Sequence, residues 1–210
     1  MKKLFFIAVA ALGFATTTYA QEISYGVKGG TNFSNLSGDN GGIDNYRVGL
    51  YGGVFAEFGL TDRISIQPEV LYSSQGAHET FKTFDAAGVT SEEYTMRLEY
   101  LNVPVMFKYE IYNGLNVQVG PQIGFLLNAE QRVEAGNNGY TVYDETVNIN
   151  EYITDVNFGV NFGLGYEFNN GLFFDGRYNL GVTNIAQEDN LPSGTEFKNH
   201  TFQVGVGYKF

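Results

Sequence analysis

The sequence of 210 residues has no cysteine and no tryptophan, and it has only 2 histidines and 4 prolines. The absence of cysteine excludes disulfides, thiol chemistry and thiolate metal sites. After the first twenty residues there is no run of 18 apolar residues, which argues against transmembrane helices. Basic residues are also scarce, at 12 against 23 acidic residues, and the net charge of −11 argues against nucleic acid as a partner.

The first twenty residues have the three parts of a cleavable export signal. Two lysines begin the segment, residues 4–15 are apolar, and Thr18 and Ala20 are small residues at the minus-three and minus-one positions of a cleavage site. We therefore expect residues 1–20 to be a cleaved signal peptide, which exports the chain through the inner membrane, and residues 21–210 to be the mature domain. A buried N-terminal helix is the alternative.

Residues 155–168 alternate between an apolar and a polar set. Every even position is Val, Phe, Leu or Tyr, whereas every odd position is Asp, Asn, Gly or Glu. Because side chains of a strand point alternately to opposite faces, this pattern predicts a strand with one wholly apolar face, long enough to cross a bilayer at a tilt. Seven other segments predict similar strands: residues 23–33, 46–60, 64–75, 96–111, 115–128, 172–184 and 200–210.

Short and long connections alternate between the predicted strands, with lengths of 12, 3, 20, 3, 24, 3 and 15 residues. Two of the short ones contain Asn-Gly, which is typical of tight hairpin turns. The sequence therefore predicts an all-β fold, an eight-stranded antiparallel up-and-down transmembrane β-barrel with short periplasmic turns and long extracellular loops. Pro68 and Pro104 fall inside strands and predict a local bulge at each.

A soluble barrel of the lipocalin kind is the alternative fold, but it would place its apolar face inside. Here the polar face carries the glycines and the charges, and the large rings of the apolar face would overfill a narrow lumen. Several tyrosines also fall near strand ends, where they suit the lipid headgroup boundary. We therefore expect the apolar face to contact outer-membrane lipid.

Charged residues on the polar faces of the strands are predicted to meet inside the barrel. Since an unpaired buried charge costs several kcal/mol, we expect ion pairs that plug the lumen, with Lys28, Glu69 and Arg177 near mid-height. A proton or ion path through the same charges is the alternative. The predicted lumen charge network comprises Lys28, Glu57, Glu69, Lys108, Glu110, Glu167, Asp175, Arg177 and Lys209.

The predicted loops are acidic, and their carboxylates raise the question of divalent cations. No loop has the spaced ligands of a dedicated calcium site, so a solvated acidic rim is predicted, with no metal and no cofactor. His78 and His200 fall near the outer rim, but His200 and its neighbour Thr201 would face opposite sides of a strand. No catalytic residue is assigned. The loop carboxylates are Asp39, Asp44, Glu92, Glu93, Asp144, Glu145, Glu188 and Asp189.

Several short motifs, in order along residues 21–210, resemble the PorT-like outer-membrane β-barrel family of Bacteroidetes, which are small eight-stranded porin-family barrels. The resemblance implies a cell outer membrane location, and it implies that Tyr208 and Phe210 are read by the barrel-assembly machinery during insertion. Some members of the family are linked to a secretion system. The motifs are YLNVPV followed by FKY at 100–109, GPQ at 120–122, RYNLG at 177–181 and the terminal GYKF at 207–210.

Three functions are carried forward from the sequence. The first is a structural or interaction barrel, not an enzyme, which is accessory to secretion or surface contact and meets a protein partner at its extracellular loops. The second is a narrow porin-like channel for ions or small solutes. The third is an outer-leaflet lipid hydrolase, which would need a nucleophile held beside His78 or His200.

Overall fold

The structure is a computed structural model, and it describes residues 23–38, 43–85, 88–137, 140–187 and 196–210. The expected signal peptide therefore lies outside the described residues. Within them, no helix is long and apolar enough to cross a membrane. The strands are β1 (Ile23–Ser37), β2 (Ile43–Gly59), β3 (Ile64–Asp85), β4 (Gly88–Tyr112), β5 (Leu115–Asn137), β6 (Tyr140–Asn148), β7 (Val156–Glu167), β8 (Leu172–Gly181) and β9 (Lys198–Lys209).

Eight of these strands form a closed ring. Their order is β4, β3, β2, β1, β9, β8, β7 and β5, and β4 also pairs with β5, which closes the barrel. Every pair is antiparallel. The strand β6 lies outside the ring and pairs with the upper part of β5. The predicted eight-stranded up-and-down barrel is confirmed, with one strand added.

The short turns lie together at the end of the barrel predicted to be periplasmic. Asn113 and Gly114, between β4 and β5, both have positive φ, at 41° and 85°. Gly171, before β8, also has a φ of 85°. Glycine adopts this backbone conformation without the steric cost that other residues pay, which explains the Asn-Gly signals.

The two faces of the barrel wall are those predicted from the alternation. In β9, Phe202, Val204 and Val206 are exposed on the outside, whereas Thr201 and Gln203 are buried inside. The other ring strands repeat this arrangement, with apolar side chains outward and polar side chains in the lumen. In water, a barrel with this wall would expose its apolar outer face. The soluble alternative, which would place the apolar face inside, is therefore wrong.

The predicted ends of β3, β4 and β5 were wrong, because regular pairing continues beyond the barrel. The register of β3 with β4 runs without a break from Gln75 opposite Leu98 to Asp85 opposite Gly88. Residues of high strand propensity keep the ladder paired, including Phe81, whose ring packs edge-on against Tyr94 with centroids 5.9 Å apart. Segments predicted as long loops are therefore a four-stranded extension, here called the protruding sheet, comprising residues 76–85, 88–99, 128–137 and β6.

The bulges expected at Pro68 and Pro104 are also wrong. Pro68 lies opposite Val105 and Leu71 opposite Asn102, so the register is the same on both sides of the proline. A proline withholds one N–H from the ladder, but the flanking bonds keep the strands aligned. The register shifts of these strands lie elsewhere: between Tyr46 and Tyr51, between Glu99 and Tyr100, and at the periplasmic end between Glu110 and Tyr112.

Candidate functional site

The periplasmic end of the lumen holds a ring of four charges. Lys108 donates to Glu57 over 2.7 Å, and Lys209 pairs with Glu167. Each lysine also lies within 3.9 Å of the other carboxylate. A cavity of about 1200 Å³ opens below these side chains and is lined by them and by the short turns. Water can therefore reach this lower charge ring.

A second set of four charges fills the middle of the lumen and has almost no exposure. Arg177 donates from Nη1 to Glu69 over 2.8 Å, and its Nη2 lies 2.7 Å from the other oxygen of Glu69. Asp175 lies 3.0 Å from Arg177 Nε and also pairs with Lys28. The side chains of all four are at most 2% exposed. Two cations and two anions balance here, as buried charges require.

Aromatic rings fill the lumen around this middle charge cluster. Phe55 and Phe173 pack edge to face, with ring centroids 5.5 Å apart, and Tyr51 lies beneath the Lys28 ammonium at 5.7 Å. Glycines on the inner face make room for these rings. A Cβ added at Gly207 would lie 2.2 Å from the Phe173 ring, and one at Gly205 would lie 2.0 Å from the Tyr51 hydroxyl.

Above the charges, a layer of amide side chains crosses the lumen. Gln203 donates to Asn32, Asn32 donates to Ser73, and these bonds are 2.9 and 2.8 Å long. On the opposite wall, Asn179 donates to Asn161 over 3.1 Å. All of these groups are buried, and their hydrogen bonds join the neighbouring strands β9 and β1, link β1 to β3, and join β7 to β8.

An apolar cap closes the lumen toward the extracellular side. Backbone hydrogen bonds position the capping segments, since Ile149 N–H donates to the Ala129 carbonyl and Thr154 N–H donates to the Ile185 carbonyl. The sequence analysis missed this cap because its isoleucines lie in segments predicted as loops. The buried cluster contains Leu36, Ala77, Leu98, Tyr100, Ala129, Ile149, Ile153 and Ile185, with Met96, Leu126 and Phe197 packed against it.

The protruding sheet has two outer edges: one is β6, and the other is the part of β3 beyond Ala77, which in the described part of the chain pairs only with β4. Among the described residues, β6 pairs with β5 and with no other strand. Side chains are exposed on both faces of β6, and Val142 has 73% of its surface accessible. Arg132 on β5 donates two hydrogen bonds, of 2.9 and 2.8 Å, to the carboxylate of Asp144 on β6. This contact lowers the pKa of the Asp144 carboxyl. Among the residues that the structure describes, no strand covers the outer backbone edge of β6.

The structure places the other predicted residues as follows. Glu110 does not join the lumen charge network: it is exposed at the rim, where it accepts a 3.3 Å hydrogen bond from the Gly114 N–H, because it lies two residues from the end of β4. His200 stacks on Tyr178 outside the barrel at 6.2 Å, whereas Thr201 is buried on the other face. His78 contacts Thr95 on the protruding sheet.

The last two predicted sets are the barrel-assembly signal and the acidic loop residues. Tyr208 and Phe210 are exposed near the periplasmic rim, with ring centroids 5.2 Å apart. Of the acidic loop residues, Asp39, Glu188 and Asp189 lie outside the described residues. Within the described ranges, no three carboxylate or imidazole groups converge as ligands for a metal ion.

Three solved structures of bacterial proteins are among those to which this chain is similar. Neisserial surface protein A has a TM-score of 0.51 and 14% identity, and the match covers 90% of this chain and 99% of that one. Ail, the attachment invasion locus protein of Yersinia pestis, has a TM-score of 0.44 and 12% identity over 90% and 99% of the two chains. CarO of Acinetobacter baumannii has values of 0.42 and 10% over 86% and 97%. At 14% identity the likeness to Neisserial surface protein A shows the fold alone, and nothing is argued from the other two.

A search of curated proteins gives no match. The family model described as "Outer membrane protein beta-barrel domain" matches residues 19–187, which is most of the chain. This match agrees with the closed ring of eight strands and with its apolar outer face. The apolar face is therefore the part of the molecule that lies in the outer membrane, and the chain belongs to the outer membrane protein β-barrel domain family.

Proposed function

We propose that this protein is an interaction barrel, which anchors the protruding sheet in the outer membrane and uses it to bind a partner protein outside the cell. The observation that carries the proposal is the closure of the lumen at several levels by the middle charge cluster, the amide layer and the apolar cap. A barrel with such a lumen offers no continuous aqueous path, so its work is done on its surface.

The buried charges support a structural role for the lumen. In a channel, charged side chains line a water-filled path and remain hydrated. Here Glu69 and Asp175 are matched to Arg177 and Lys28 at ion-pair distances, and an ion crossing this level would have to break those pairs. The narrow porin-like channel would require the whole cluster and the apolar cap above it to move together.

The edge of β6 supports a binding role for the protruding sheet. An unpaired strand edge offers a row of N–H and C=O groups, to which an extended segment of a partner can add as another strand. Asp144 is already paired with Arg132, whereas Glu145 gives this edge a negative charge, so we infer that the added segment carries basic residues.

We also infer how the chain reaches the outer membrane. Residues 1–20 act as the cleaved signal peptide, and Tyr208 and Phe210 at the periplasmic rim are available to the barrel-assembly machinery. The motifs shared with the PorT-like family of Bacteroidetes make an accessory role in secretion one setting for the partner, and surface contact is the other. No residue is proposed as catalytic.

Photo-cross-linking in intact cells tests the binding role. A photoreactive residue at Val142 should give a discrete cross-linked protein band, whereas the same residue at Val119, which faces lipid in the middle of the wall, should give none. Successive residues of a strand direct their N–H groups to opposite sides. The N–H of either Thr146 or Val147 therefore points to the free edge. Of the two variants Thr146→Pro and Val147→Pro, the one that removes this N–H should abolish the band while the barrel stays folded.

The heat-dependent shift of the folded band on a gel reports whether each variant is folded. Strand addition at this edge would be contradicted if the residue at Val142 cross-linked to no protein. It would also be contradicted if neither proline substitution weakened the band. Stable ionic currents through the purified barrel would instead favour the channel.

A further inference from the structure

A cleft rich in arginine lies outside the barrel wall, just above the apolar girdle. It has a volume of about 450 Å³ and is lined by Arg47, Thr95, Arg97, Glu130, Arg132, Asp144 and Thr146. The neighbours of Arg97 along β4, Met96 and Leu98, pack in the apolar cap. Since neighbouring residues of a strand face opposite sides, Arg97 and the cleft face the surroundings of the barrel.

The height of the cleft follows from strand geometry. An apolar band about 25 Å tall, crossed at a tilt of about 40° with a rise of about 3.3 Å per residue, takes about ten residues of a strand. On β4, counting from Tyr109 at the lower aromatic girdle places the upper boundary near Glu99. Arg97 lies two residues farther, or about 5 Å above that boundary, at the level of lipid headgroups.

The lining of the cleft carries three arginines and two carboxylates, and these charges are unequally compensated. Glu130 lies opposite Arg97 in the β4–β5 ladder and accepts a hydrogen bond from Asn128. Arg97 pairs with Glu99 at 2.5 Å, and Arg132 pairs with Asp144 and with Glu134. Arg47 donates to the Ser74 hydroxyl and to the Gln75 carbonyl, at 3.1 and 3.0 Å.

Among the side chains that the structure describes, which do not include Asp44, no carboxylate lies within ion-pair distance of Arg47. Its charge is therefore available to an anion in the cleft.

Arginine binds phosphate through paired N–H groups, and a cation near a membrane surface attracts anionic lipid. We propose that Arg47 and Arg97 bind the phosphate group of an anionic lipid in the outer leaflet. The acyl chains of that lipid would lie against the apolar wall directly below, where Tyr72 pairs with Leu101. The lipid would occupy a fixed position on the β2–β3–β4 side of the barrel, at the base of the protruding sheet.

Because the chain has no tryptophan, a single introduced one reports this position without background. We would reconstitute Leu101→Trp into phosphatidylcholine vesicles that contain phosphatidic acid with brominated acyl chains, which quench tryptophan on contact. The matched control reporter is Leu180→Trp, on the lipid-facing side of β8. Quenching at position 101 should show an enrichment of phosphatidic acid of about fivefold or more over its bulk fraction, and position 180 should show none.

Charge variants separate a bound phosphate from a general effect of the membrane. In the Leu101→Trp background, Arg47→Gln and Arg97→Gln should each reduce the enrichment about fivefold, whereas Arg63→Gln at the periplasmic end should leave it unchanged. Glu99→Gln releases Arg97 from its ion pair and should increase the enrichment, which a folding defect could not do.

Equal quenching at positions 101 and 180, or enrichment that survives both arginine changes, would overturn the proposal. Inorganic phosphate at millimolar concentration should not displace the lipid. Full displacement would assign the cleft to a soluble anion and would also overturn it.

Discussion

Glu69→Gln should destabilise the barrel strongly, because it removes one negative charge from the middle of the lumen without changing the size of the side chain. In the native protein, Glu69 meets Arg177 at 2.7 and 2.8 Å and Lys28 at 3.9 Å. After the change, two buried cations share Asp175 alone. Removing one partner of a buried pair costs about 3–5 kcal/mol, so we expect a loss of about 3 kcal/mol or more in the free energy of unfolding.

The assay is equilibrium unfolding in lipid vesicles by denaturant, with the folded fraction read from the gel shift. Adding Lys28→Met to the Glu69→Gln protein restores the balance of charge in the middle charge cluster. This second change should recover a substantial part of the lost free energy of unfolding, as expected for coupled residues. Glu57→Gln is the matched comparison beside the open periplasmic cavity, and water there should limit its cost to about 1 kcal/mol. A Glu69→Gln protein within 0.5 kcal/mol of the wild type would refute the reasoning.

Three further predictions concern the wall and its assembly. Gly205→Val should destabilise the barrel in the same unfolding assay, because its Cβ would lie 2.0 Å from the Tyr51 hydroxyl; unchanged stability would contradict the packing described for the lumen. Val160→Arg, on the lipid face at mid-depth, should cost about 2–4 kcal/mol, and Val142→Arg on β6 should change stability by less than about 0.5 kcal/mol. Removal of Phe210 should lower the amount of folded barrel in the outer membrane of cells, while refolding of the purified chain in detergent should be unaffected.

The barrel wall could be predicted from the sequence because one physical rule governs it. Lipid on one side and a narrow polar lumen on the other force strict alternation, as in Phe202 and Gln203, so the faces could be read residue by residue. The inward position of Lys28, Glu69 and Arg177 followed from the same rule. Their individual contacts could not be predicted, because they depend on the register between strands distant in the chain.

The parts above the membrane were harder to predict, because water there accepts both polar and apolar side chains. Residues 76–95 lack strict alternation, which predicts a loop, although the backbone of residues 76–85 and 88–95 continues the ladder of β3 and β4. The cap isoleucines Ile149, Ile153 and Ile185 gave no signal of their own. Their burial results from the folding of two separate segments over the lumen.

Closure of the lumen is the central claim, and single-channel recording in planar bilayers tests it most directly. The folded wild-type barrel should give no stable openings, because the middle charge cluster and the apolar cap leave no continuous path. Arg177→Ala removes the largest side chain of that cluster and is the matched comparison; the cap should keep it silent as well. Stable openings in the wild type, with a conductance that changes in Arg177→Ala, would show that ions pass through the cluster and would contradict the closed lumen.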